Sequence, residues 1–117
     1  MRTLLFPLVV CATFAGCGGG TGESPETNVS MFKYSGSVQC TGGGTSLSAM
    51  ERQLTDAGIQ VVASACGIDG NAYAAVCGAP DGRIGVLGVS AAQAQAASAL
   101  GFVPLSNLPS ATTVACQ

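Results

Sequence analysis

The sequence contains no histidine and no tryptophan, and only 9% of its 117 residues are charged. Each scarcity removes a class of function. Without histidine, the commonest general base for a serine or cysteine nucleophile is missing, as is the usual nitrogen ligand of protein zinc sites. Four Lys and Arg side chains stand against six Asp and Glu, and one of the four, Arg2, lies in the leading segment. Such a chain has no basic footprint for a phosphate backbone, which excludes nucleic acid as a partner. Aromatic residues make up 5%, so any core is thin and built largely from small aliphatic side chains. No apolar run approaches the ~20 residues of a membrane-spanning helix.

What the chain does have begins at its first residues. "MRTLLFPLVVCATFAGC" places one basic residue before an uncharged, mostly apolar run from Leu4 to Phe14. That is the pattern of an export signal, here residues 1–16. Its end, Phe14-Ala15-Gly16-Cys17, resembles the lipobox of bacterial lipoproteins, although Phe14 stands where that pattern usually has Leu. The resemblance implies that Cys17 receives lipid and becomes the mature N-terminus, so the membrane is a partner through a lipid anchor. Gly18, where the enterobacterial sorting pattern would have Asp for inner-membrane retention, implies the periplasmic face of the outer membrane of the cell envelope. Residues 17–30 continue as "CGGGTGESPETNVS", with almost nothing to bury, and read as a tether.

Residues 31–117 are enough for one small domain. Cys40, Cys66, Cys77 and Cys116 are four cysteines in an exported chain, and export places them in an oxidising compartment where disulfides form. "FKYSGSVQC", residues 32–40, alternates as a half-buried strand. Ser48-Ala49-Met50-Glu51 offers a capping box for a helix over 46–57, with Gly58 as its left-handed end. Strands are expected from Ile59, from Ala72 and over 83–89, joined by Asp69-Gly70 and Asp81-Gly82 turns. Ser90 and Gln93 suggest a second capping box before an Ala-rich helix closed by Gly101, and the remainder reads as an irregular tail. The expected fold class is α+β, in the order β-α-β-β-β-α, with two helices on one face of a mainly antiparallel sheet and two disulfides.

Pairing the cysteines rests on that strand order. With a two-residue turn at Asp69-Gly70, Cys77 would lie roughly 13 Å along the ladder from Cys66, too far for a bridge. That favours Cys40 with Cys66 and Cys77 with Cys116. Strand parity objects, because it puts Cys66 on the face expected to lack helices. A wider loop would instead set Cys66 opposite Cys77.

Tests for chemistry return little. Asp69-Gly70-Asn71 resembles the opening of an EF-hand loop, but the fifth, sixth and twelfth positions are Tyr73, Ala74 and Pro80. No metal site is therefore expected. "CTGGGTS", residues 40–46, puts glycines before a helix without the lysine of a P-loop. Lys33 could pair with a serine, and Asp69 with Asp81 could form a hydrolytic carboxylate pair, but turns of a meander lie at opposite sheet ends. The reading is a non-enzymatic binding or structural module of unknown target with no cofactor, one that binds an envelope protein or inhibits a foreign enzyme, with a small hydrolase of atypical Ser or Asp chemistry as the rival. The mature part also resembles small envelope lipoproteins, and that resemblance implies no activity.

Overall fold

The first strand, β1, runs from Asn28 to Tyr34 and pairs antiparallel with a central strand, β3, from Arg83 to Ser90. These belong to a computed structural model that describes residues 27–117. Between them lie a helix, α1 (Leu47–Asp56), and a strand, β2 (Ala63–Ile68), which takes the other side of β3. After β3 come a short 3-10 turn, Ala91–Gln93, and a helix, α2 (Ala94–Ala99). Two short strands close the chain: β4 (Val103–Pro104) pairs with β1, and β5 (Thr112–Val114) with β2. The five-stranded sheet has the order β4-β1-β3-β2-β5 and is antiparallel throughout. The expected α+β class, with both helices against one antiparallel sheet and two disulfides, is what the chain adopts.

The core forms where α1 and α2 meet the sheet. Met50 and Leu54 of α1 and Ala97 of α2 bury against Met31, Leu87 and Val89, and Phe102 completes the cluster. Met50 and Leu54 are one helical turn apart and so share a stripe. At Gly85 of β3 a Cβ would run into the Met50 sulfur, so the helix reaches the central strand only because that residue has no side chain. The opposite sheet face is covered too, since Phe32 is 5% exposed and Ile84 3%. Because β4 and β5 sit at opposite edges, the chain from Leu105 to Ala111 must cross the sheet on that second face, and Leu105 and Leu108 are half-buried along the way. With both faces covered, β1 buries the consecutive residues Met31 and Phe32, and β3 is apolar almost continuously.

Several expectations change. β1 is not at 32–40: it begins at Asn28, inside the stretch read as tether, and ends at Tyr34, just before Gly36 turns the chain at φ +78°. The cap of α1 is Ser46 rather than Ser48, its hydroxyl accepting from the Ala49 N–H at 3.2 Å. Ser90 makes no capping hydrogen bond, and the Gln93 side chain instead accepts from the Gln60 N–H and donates to the Gly58 carbonyl. The expected strand from Ala72 does not exist, because the segment from Asp69 to Gly82 is a single loop between β2 and β3, closed by the Asp69 N–H donating to the Gly82 carbonyl. The tail is not wholly irregular, since β4 and β5 extend both sheet edges.

The missing strand reassigns the cysteines. The bridges are Cys40–Cys77 and Cys66–Cys116, each with Cα atoms 5.2 Å apart, and neither expected pairing occurs. Freed from a ladder, Cys77 travels on the long loop to the turn that carries Cys40. Cys66 lies opposite Val114 of β5, so Cys116, two residues on, comes within reach. Parity is reversed as well: Cys66 lies opposite Gly85, whose side faces Met50, so it shares the helix-covered face.

Candidate functional site

The two ends of the sheet differ. Asn28, Ser90 and Ala63 mark the end where the chain enters β1, whereas Tyr34, Arg83 and Ile68 mark the other, about 20 Å away over seven residues. The second end, the loop end, gathers the Asp69–Gly82 loop, the turns between β1 and α1, and the start of α1.

Asp69 is the polar centre of this end and is 2% exposed. Its carboxylate accepts from the Tyr34 hydroxyl at 3.0 Å, the Asn71 N–H at 2.9 Å, the Asn71 side-chain amide at 3.2 Å and the Tyr73 hydroxyl. Burial alone would favour protonation, but these donors, Tyr73 foremost, outweigh it and hold the carboxyl below its ordinary range. Desolvation at the Tyr34 hydroxyl, followed by its bond to Asp69 and the carboxylate's charge, pushes that phenol up to about 12. Tyr73 moves upward mainly through its bond to Asp69.

Asp81 is arranged in the same way. The Ser37 hydroxyl lies 2.8 and 2.6 Å from its two oxygens, the Arg83 N–H donates at 3.0 Å, and the Arg83 Nε is 3.7 Å away. Burial works against the charge, but the Ser37 bond and Arg83 prevail, and its carboxyl also sits low. Asp69 and Asp81 thus lie at the same end of the sheet, contrary to the meander argument, because one loop carries both. A hydrolytic pair needs one carboxyl with a raised pKa to act as acid. Here both are lowered and serve as acceptors that pin the loop. Lys33 is likewise engaged: its Nζ donates to Gln53 Oε1 at 2.9 Å and to the Leu100 carbonyl at 3.0 Å, and it lies 5.0 Å from the Phe102 ring centroid.

The loop between the two carboxylates is braced from outside. Gln39 donates its N–H to the Ala79 carbonyl at 2.9 Å and accepts from the Gly78 N–H at 3.1 Å. Its side-chain amide donates to the Ala74 and Pro80 carbonyls at 2.8 and 3.2 Å, and the Cys40–Cys77 bridge sits alongside. Held on this frame, residues 71–78 are exposed and uncharged, and Val76 at 58% and Tyr73 at 38% present large apolar surface to solvent. Beside the loop end, a cleft of about 480 Å³ lies between the glycine turns before α1 and the sheet, lined by Ser35, Thr45, Leu47, Met50 and Arg83, with the Cys66–Cys116 bridge in its wall.

Among the described residues, no group of three or more His, Cys, Asp or Glu side chains could hold a metal ion, and no helix is long and apolar enough to cross a membrane. Cys17, the expected lipidation site, lies outside the described residues. The reading from sequence missed the braced loop and the cleft, and only the Cys77 spacing hinted at the former. Compared with protein-family models, with curated proteins and with solved structures, the chain matches none of them.

Proposed function

We propose that this chain is a bacterial envelope lipoprotein, anchored through Cys17, whose folded domain acts by binding a protein partner through its loop end. The observation that carries the binding reading is the Asp69–Gly82 loop: exposed from Gly70 to Gly78, uncharged from Gly70 to Pro80, and held by a disulfide, four Gln39 hydrogen bonds and a buried carboxylate. A loop ordered before it meets its partner loses little conformational entropy on association. Its apolar tip suits a partner with a shallow apolar surface. The chain enters β1 at the opposite end of the sheet, so an anchor upstream of Asn28 joins the domain away from the loop end and leaves that end uncovered. The engagement of Asp69, Asp81 and Lys33 in structural bonds supports binding over hydrolysis.

Two results test this. Cys17→Ala is expected to move the protein from the membrane to the soluble fraction of lysed cells; full retention in the membrane would remove the anchor from the reading. Val76→Ser, which alters an exposed side chain, is expected to leave the thermal unfolding midpoint within a few degrees and to cut cross-linked partner yield in intact cells several-fold. An undiminished yield would place the binding surface elsewhere.

A further inference from the structure

The two disulfides hold very different pieces of backbone. Cys66 lies within β2, with β3 on one side and β5 on the other, so its bridge to Cys116 reinforces strands that already pair. Cys40 and Cys77 are both exposed and both lie in loops. Cys40 is also the only non-glycine among the described residues with positive φ, at +74°, a region that an L side chain adopts at a cost. Its neighbour Gln39 makes the four hydrogen bonds that brace the long loop. None of residues 71–78 is buried, so apart from the Asn71 and Tyr73 bonds to Asp69 that segment has no hold on the interior.

We infer that Cys40–Cys77 is a thiol–disulfide exchange site, and that its reduction by a dithiol unlatches residues 71–78 while the sheet stays folded. The thiolate of an incoming dithiol attacks one sulfur of the bridge, forming a mixed disulfide and expelling the other cysteine as a thiolate, which takes up a proton. The second thiol of the dithiol then closes on the first and releases the remaining cysteine. The dithiol is oxidised to a disulfide, and Cys40 and Cys77 take up two electrons and two protons as thiols. Exposure gives the attacking thiolate access, and since Cys116 is exposed too, the difference between the bridges lies in the strained Cys40 backbone and in the strand pairing around Cys66. Once the bond opens, the turn at Cys40 is held by the reciprocal Val38–Gly42 hydrogen bonds without the disulfide, and the strain of its positive φ favours rotation back to negative φ. That rotation moves Gln39, so the covalent hold and the four hydrogen bonds are lost together. Reduction of Cys66–Cys116 differs, because the β2–β5 ladder keeps the two thiols near each other and favours reclosure.

Control of binding by this latch rests on the loop reading above, but its chemistry does not, and the experiment needs no partner. The full chain is treated with limiting dithiothreitol, and free thiols are alkylated at intervals and assigned by peptide mass spectrometry. Amide hydrogen exchange is measured on the same samples. Cys40 and Cys77 should be alkylated at least about tenfold faster than Cys66 and Cys116. At that stage, exchange over 71–78 should rise about tenfold or more while amides of Ile84 to Val89 stay protected. Earlier or simultaneous reduction of Cys66–Cys116, an unchanged loop, or loss of protection in β3 would each overturn the inference.

Discussion

Replacing Cys66 and Cys116 together by serine should lower the unfolding free energy by about 4 kcal/mol, the loop-closure entropy for the 50-residue separation that this bridge spans. A domain of this size has a net stability of about 5–10 kcal/mol, so the variant should keep only about 1–6 kcal/mol and unfold at a much lower urea concentration than the wild type. Urea unfolding followed by far-ultraviolet circular dichroism checks it. The same entropy argument gives almost the same figure, also about 4 kcal/mol, for Cys40–Cys77 and its separation of 37. Any difference between the two double variants therefore reports on the folded state. Cys40→Ser with Cys77→Ser should cost about 1 kcal/mol less, because the backbone at residue 40, no longer tied to residue 77, can relax from its positive φ and only a surface loop is loosened. Equal losses would mean that the Cys40 backbone carries no strain.

That comparison could not have been framed from the sequence, and the reason is physical. The presence of disulfides was legible, since four cysteines in a small chain with a thin core and a leading segment that reads as an export signal have few other uses. So were α1, expected over 46–57 and found at Leu47–Asp56, and β3, expected over 83–89 and found at Arg83–Ser90. The left-handed glycines after both helices were legible too, with Gly58 at φ +79° and Gly101 at φ +93°. Both helices end where only glycine turns the chain cheaply, and β3 is apolar enough to be read without alternation.

β1 failed for a related reason. Met31 and Phe32 are buried on opposite faces, so the strand has no polar side, and the alternation read across 32–40 was accidental. "AYAAVC" looked like a strand because Ala, Tyr and Val suit strands, but its apolar side chains are exposed and its order comes from Gln39 and Cys40, more than thirty residues earlier. Composition cannot show that a segment is held from a distance. β4 and β5 span two and three residues, shorter than any periodicity. The candidate site inherits these limits. Asp69 and Asp81 were recognisable as turn residues, but their place at one end of the sheet depends on the strand that is not there.

The second large effect should come from Asp69. Asp69→Ala removes the acceptor shared by Tyr34, Tyr73 and Asn71 and should cost about 2–3 kcal/mol at neutral pH, with the loop loosening first. The pH dependence follows from the direction of each shift. A carboxyl held below its unfolded value of about 3.9 contributes stability that is present above that pH and is lost as pH falls through the lower folded value. A phenol raised above its unfolded value of about 10 contributes stability that is fully present below pH 10 and is lost as pH rises through the folded value, about 12 for Tyr34. The wild-type protein should therefore be flat in stability between these edges and weaken below about pH 4 and above about pH 10. Because the chain has two tyrosines and no tryptophan, phenolate absorbance near 295 nm reports on this cluster alone. Wild-type absorbance should rise mostly above pH 10, with one step near 12. In Asp69→Ala both steps should move down toward 10, Tyr34 only part of the way, since desolvation, the larger cause, remains. Two wild-type phenols titrating together at about pH 10 would show that Asp69 does not hold them.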